Sequence, residues 1–254
     1  MKPKSTARKS ALLALAGISL GILPAGAATT SIPADNDLLL GIRASGGLGQ
    51  ETAYLVNLGQ YSTYSSAAPG SSFTLSLGNI AADLADIYGA GWSTRTDLYW
   101  GIVGSNSSAS PGVIASRESG LPGWQALALD DRGFAKTAIQ SVLFNGYAGK
   151  ESTANSDLAV AQTGVSGASS WLHQVSGTPL DFAVWSSIET SVGGGADLEL
   201  YRIATSGVSN PGSFSLGSDG SITFNAIPEP SVSLLAVAGV SALVAGRRRR
   251  PAHA

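Results

Sequence analysis

The chain contains no cysteine, which excludes disulfides, thiolate zinc sites, iron–sulfur clusters and cysteine nucleophiles. Histidine is almost missing too. Of the two present, His253 is next to last, which leaves His173 for a folded body. Charge is sparse, at 13% of residues, and the formal net charge is −2. A chain so weakly charged is neither a disordered polyelectrolyte nor a general nucleic-acid binder, so no nucleic-acid partner is expected. What the chain does hold is 44% hydrophobic residues, 32 glycines and 11 prolines over 254 residues. That is enough to fill the core of one large domain or two small ones.

The near-neutral total conceals three zones. Lys2, Lys4, Arg8 and Lys9 occupy the start and Arg247, Arg248, Arg249 and Arg250 the end. Between them, seven cations meet the sixteen acids from Asp35 to Asp219, a net charge of −9. Every Trp, Tyr and Phe lies between Tyr54 and Phe224. The expected organisation is an acidic folded body, residues 28–226, between two addressing segments, 1–27 and 227–254.

The first segment reads as a cleavable signal peptide. A basic start precedes the apolar run Ala11 to Leu23, then Pro24 and the small residues Ala25-Gly26-Ala27-Ala28. Proline stops the helix just before a backbone that a peptidase binds extended, so cleavage is placed after Ala27 or Ala28. An uncleaved anchor is the alternative, against which the shortness of the run argues. At the other end, Ile227-Pro228-Glu229-Pro230 leads into the uncharged stretch Ser231 to Gly246 and then four arginines. Sixteen helical residues span roughly 24 Å, a little under the hydrocarbon thickness, and snorkelling arginines make such a length tolerable. A single transmembrane helix over 231–246 is expected, with Arg247 to Arg250 as its cytoplasmic stop.

This order of features, Pro228-Glu229-Pro230, a short hydrophobic helix and a terminal arginine cluster, resembles the PEP-CTERM sorting signal. The resemblance covers about the last 27 residues. It implies a secreted surface or matrix protein of Gram-negative bacteria, with an exosortase-type sorting enzyme as partner and the inner membrane as a transient anchor. An ordinary tail anchor with a proline-containing linker is the alternative. Asp37 to Arg43, Tyr54 to Gly59 and Asp97 to Gly104 are similar to recurrent stretches of secreted PEP-CTERM proteins, and that weaker likeness carries no catalytic residues.

Within the body, strands are predicted over 37–42, 52–58, 97–103, 113–116, 182–188 and 197–204. A hairpin is predicted from 214–216 and 221–224 around Gly217-Ser218-Asp219-Gly220. The Ser- and Tyr-rich segment 61–72 reads as loop. A helix capped by Asn79 carries Ile80, Leu84, Ile87 and Tyr88 on one face and ends at Gly89. A second, capped by Asp130 or Asp131, aligns Phe134, Ala138 and Val142 and stops at Asn145-Gly146. A helical turn is expected near 170–175. Gly101, inside a strand, suggests a kink or close backbone approach. The fold class expected is mostly β, a β-sandwich-like exported domain with two or three short helices.

Catalytic signals are thin. The Gly-x-Ser-x-Gly match, Gly17 to Gly21, falls inside the signal peptide, and His173 has no evident serine partner. No histidine pair or Asp/His cluster suggests a catalytic metal. Asp35-Asn36-Asp37 and Asn155-Ser156-Asp157 offer oxygen ligands for calcium without a binding-loop pattern, and read better as turns. Asp97, Glu118, Asp130 and Asp131 are the acids available to a glycoside hydrolase mechanism. Gly149-Lys150 is followed by Glu151, so no phosphate loop is present. Among the five tryptophans, Trp100 and Trp185 are expected in the core. Trp92 and Trp124, beside glycines, are candidate glycan contacts. The expectation is a non-enzymatic surface or extracellular-matrix protein linked to exopolysaccharide, with no catalytic residues, cofactor or metal. The alternative is a secreted carbohydrate-binding module or a hydrolase with paired carboxylates.

Overall fold

The computed structural model describes residues 29–176 and 181–228. Their strands are β1 (Asp37–Ala44), β2 (Thr52–Gln60), β3 (Ser72–Thr74), β4 (Leu98–Ser105), β5 (Val113–Glu118), β6 (Ala159–Thr163), β7 (Glu189–Ser191), β8 (Leu198–Ala204), β9 (Gly207–Leu216) and β10 (Ile222–Ala226). The helices are α1 (Tyr61–Ser65), α2 (Ile80–Tyr88), α3 (Leu129–Ser141) and α4 (Trp171–Ser176), and a π-helical turn, Val142–Tyr147, extends α3. The described body is mostly β with few helices, as expected.

All ten strands join one antiparallel sheet in the order β3-β10-β9-β8-β5-β4-β1-β2-β6. The tenth, β7, shares an edge of β4 with β5: Tyr99 to Gly101 pair with β7, and Val103 to Ser105 with β5. The sheet curls because one face of it closes on residues from both ends. Leu38, Leu40 and Ile42 of β1 and Tyr54 and Val56 of β2 share an inner core with Leu200, Phe214 and Phe224 from the other side. Tyr64 of α1 plugs this core, its ring centroid 5.0 Å from those of both Phe214 and Phe224. Strand alternation sends Leu39, Leu55, Val103 and Val113 to the opposite face. There α3, the π-helical turn and α4 cover them through Ala135, Ile139, Val142 and Trp171.

Helix α2 matches its sequence signals. The Asn79 side chain accepts from the Ala82 amide and Gly89 stands at the C-cap with φ 92°. Ile80, Leu84 and Tyr88 face the inner core. Segment 61–72 departs from the loop reading: residues 61–65 are helical because Tyr61 and Tyr64 insert into the core three residues apart. Residues 182–188 are not a strand. Phe182 and Ala183 have φ of 47° and 70°, and the chain turns so that Asp181 bridges Trp185. Helix α3 begins earlier than expected: Ala128 is at the N-cap, and Asp130 and Asp131 lie in the first turn, where their charge complements the free amides. Its buried line is Arg132, Ala135 and Ile139, whereas Phe134 is 62% exposed. Asn145-Gly146 lies inside the π-helical turn instead of ending the helix. Strand β6 and the first half of β9 were not expected, since their alternation is diluted by Ser, Asn, Gly and Thr.

Candidate functional site

The last described strand stops just before the predicted sorting motif. The last residue of β10 is Ala226; Ile227 then donates its amide to the Pro211 carbonyl at 3.0 Å, and Ile227 and Pro228 are exposed. Glu229, Pro230, the expected span 231–246 and Arg247 to Arg250 lie outside the described residues, as do Ala27 and the signal peptide. Among the described residues no helix is long and apolar enough to cross a membrane. At the other end, Thr29 bridges Glu151, and Thr30 is buried with its hydroxyl donating to the Tyr147 carbonyl at 2.7 Å. The fold therefore takes hold of the chain within three residues of the expected cleavage point.

The candidate glycan contacts are occupied by packing. Trp92, in the 3₁₀ turn Trp92–Thr94, is 4% exposed and belongs to the inner core. Its glycine neighbours reflect a tight turn and not an open loop. Trp124 is half-buried: the Arg117 guanidinium lies 4.1 Å from its ring centroid and its Nε1 donates to the Ser116 carbonyl at 2.9 Å. Trp100 and Trp185 are each 1% exposed, as expected of core residues.

The four acids weighed for hydrolysis fall on three separate segments. Asp97 precedes β4 and forms an ion pair with Arg95 at 2.7 Å, and this bond holds its carboxyl below the usual range. Glu118, ending β5, accepts from the Thr190 hydroxyl at 2.8 Å, while Asp130 and Asp131 open α3. His173 is exposed on α4. Four of the residues considered for calcium are engaged in hydrogen bonds. Asp37 accepts from the Ala34 amide, Asn57 and Gln60, and Asp35 accepts from Ser107. Asn155 donates to Asp83, and Ser156 to the Leu77 carbonyl. Among the described residues no group of three or more potential ligating side chains converges on one point.

A buried charge cluster on the outer face escaped sequence reading. Gly41 of β1 pairs with Gly101 of β4, leaving two adjacent positions on the outer face without side chains. The Trp171 indole fills the gap over Gly41, where a Cβ would lie 2.2 Å from Cε2. Glu189 Cγ and the Ile188 carbonyl approach Gly101, each 3.1 Å from where its Cβ would be. The expected close approach at Gly101 is thus present. The Glu189 carboxylate accepts from Arg43 Nη2 at 2.6 Å and from Trp171 Nε1 at 3.2 Å. Burial pushes its carboxyl up, and Arg43 opposes that rise. Asp181 accepts the Ile188 amide at 3.1 Å, and burial pushes it up to about 7, aided by the nearby Glu189. Two carboxylates bound to an arginine, an indole and a backbone amide brace β7 against β1 and α4. A glycine pair across neighbouring strands was the legible trace, but nothing in the sequence says which side chain fills it. No family model matches this chain, and neither a curated protein nor a solved structure matches it.

Proposed function

We propose that the protein is exported, sorted through its C-terminal signal by an exosortase-type enzyme, and displayed at the cell surface or in the extracellular matrix. Its sandwich-like body then plays a structural or interaction role beside exopolysaccharide. The observation that carries this reading is the junction at Pro228. The last described strand ends at Ala226, Ile227 makes a backbone bond to Pro211, and Pro228, the first residue of the Pro-Glu-Pro sequence, is exposed. Two prolines keep that stretch extended and poor in hydrogen bonds, as an enzyme cleft requires. On this reading the motif lies outside the packed strands, and recognition of it is separable from stability.

The secreted-hydrolase alternative has less support, because Asp97 and Glu118 are engaged by Arg95 and Thr190 and the α3 acids sit on another element. Replacing Pro228-Glu229-Pro230 by three alanines, in a host that has the sorting enzyme, tests the proposal. The expected outcome is a folded, unprocessed chain retained in the inner membrane, scored by fractionation and blotting for the body and a C-terminal tag. A simple tail anchor predicts equal tag retention in wild type and mutant, and that result overturns the sorting reading.

A further inference from the structure

A small pocket of about 190 Å³ lies between the turn before β1, the start of α1 and strand β8, lined by Asn36, Gln60, Tyr61, Ser62, Ser65 and Arg202. Its size is below the roughly 300 Å³ at which pockets for drug-sized ligands begin, so it suits a single ring or a smaller acid. Two ladder irregularities flank it. Leu58 is left unpaired where β1 meets β2, just before Gln60. Asn210 and Pro211 of β9 form a bulge against β8, just before Arg202 pairs with Ser209. Bulges re-aim neighbouring side chains and recur beside functional sites. Asn36 adds a third irregularity, with φ at 66°.

The polar groups of this pocket are incompletely matched. The Arg202 guanidinium lies 5.6 Å from the Tyr61 ring centroid, and its buried Nε has no hydrogen-bond partner. Among the described residues Arg43 and Arg95 form ion pairs with carboxylates, while none is found for Arg202. The buried side-chain oxygen of Asn36 also lacks a partner. A buried polar atom left unmatched is costly and rare, and it calls for a physical account. As side chains lining the pocket, Arg202 and Asn36 specify complementary chemistry. A guanidinium fork suits the planar oxygens of a carboxylate. A carboxamide is satisfied by a hydroxyl, which both donates and accepts, in either orientation of its oxygen and nitrogen. Acetate supplies only the first group and a neutral sugar only the second. A hydroxy acid supplies both.

We propose that the pocket formed by Asn36, Tyr61 and Arg202 binds a small hydroxy acid, and that its source is the uronic acid residues of an acidic polysaccharide. The choice of source rests on the matrix reading above, whereas the chemistry of the pocket does not. Ser62 and Ser65, exposed at the rim, supply further hydroxyls to a sugar ring.

Calorimetric titration of the full chain in detergent with sodium glucuronate, glucose and acetate tests the chemistry. Saturable glucuronate binding is expected, with glucose and acetate at least roughly tenfold weaker, and with a similar loss in Arg202→Gln. Ser62→Phe, on the exposed rim of α1, should block the pocket without touching the core, and circular dichroism checks that each variant is folded. Absence of saturable heat with folded wild type overturns the proposal, as does equal binding of glucuronate and acetate. So does wild-type affinity in both variants. A column of immobilised polygalacturonate distinguishes the polymer from the free acid. Retention that Arg202→Gln abolishes supports the polysaccharide source, and passage straight through while glucuronate binds overturns it. Neither readout depends on where the chain is sorted, so failure here and failure of the sorting test are distinguishable.

Discussion

At the scale of single residues, the outer face is organised around what Gly41 and Gly101 leave out. A methyl group at Gly41 would lie 2.2 Å from the buried Trp171 indole, far inside van der Waals contact, so the ring or the strand must shift. At Gly101 the nearest atoms are 3.1 Å away and one belongs to the Glu189 side chain. Overpacking costs about 1–3 kcal/mol, so Gly41→Ala is expected at or above the top of that range and Gly101→Ala near the bottom. Urea denaturation measures both, and equal losses would contradict the wedge. Beside them, Asp181 is raised by burial to about 7. Its folded value stands above its unfolded one, so the native state binds the extra proton. The associated stability is complete below about pH 4 and is lost as pH rises through 7. Glu189, also raised, acts in the same direction. For Asp181 the gap corresponds to at most roughly 4 kcal/mol, and solvent screening brings the expected figure to about 2. Asp181→Asn keeps an acceptor for the Ile188 amide without the charge. It should raise the melting temperature at pH 8 by several degrees and leave it nearly unchanged at pH 4. A fall at pH 8 would show that the ionised form is the stabilising one.

At the scale of elements, α2 shows how a helix readable from sequence acquires a tertiary anchor that is not. Its cap and apolar stripe are local features. Asp83, on the same helix and 4% exposed, accepts from the Tyr54 hydroxyl at 2.8 Å and from Asn155 at 2.9 Å, and Thr153 donates to it as well. One carboxylate thereby ties α2 to β2 and to the 153–156 turn. Burial, reinforced by the bond to Asp83, drives the Tyr54 hydroxyl well above its ordinary value, so it remains a donor. Asp83→Ala strands that buried hydroxyl and should cost about 2–3 kcal/mol, against about 1 kcal/mol for loss of the cap in Asn79→Ala. Chemical denaturation of the two variants reads the difference, and an inverted order would mean that the local cap outweighs the tertiary hub. Helix α3 gives the opposite lesson. Phe134 looked like part of its apolar stripe, but Arg132 takes the inner side instead, donating to the Pro111 and Leu127 carbonyls at 3.0 and 2.7 Å.

At the scale of the whole molecule, the described body is anchored near both predicted processing points. Thr30 is fastened to the end of the π-helical turn, and Ile227 to the bulge at Pro211. Signal-peptide cleavage after Ala27 or Ala28 would leave a mature chain that enters the fold almost immediately. N-terminal sequencing of exported protein should therefore begin at Ala28 or Thr29, and a chain beginning at Met1 would refute the cleavage. Deleting Arg247 to Arg250 should impair retention or orientation of the precursor, because positive charge on the cytoplasmic side sets topology. Protease protection of a C-terminal tag in spheroplasts measures this, and unchanged protection would remove the arginines from that role.

Local patterns were sufficient for several elements. The apolar runs behind β1, β2 and β4, the Asn79 cap, the Gly89 stop and the Gly217 to Gly220 turn all depend on neighbours within a few residues. The proposed addressing features, Ala27 and Pro228 to Arg250, rest on sequence alone, where short linear order carries them. Tertiary structure decided the rest. Trp92 and Trp124 look alike in sequence, each beside glycine, yet one is inside the core and the other lies against Arg117. Nothing local marks Glu189 or Asp181: the pairing of β7 with β4 puts Glu189 against Gly101, and Asp181 holds the Ile188 amide beside it. Arg202 and Asn36, separated by most of the chain, share a pocket only because the sheet brings the start of β1 and strand β8 to the same face of α1. Burial and the distance between charges are set by which strands pair. That pairing joins residues too far apart in sequence for periodicity or spacing to record it.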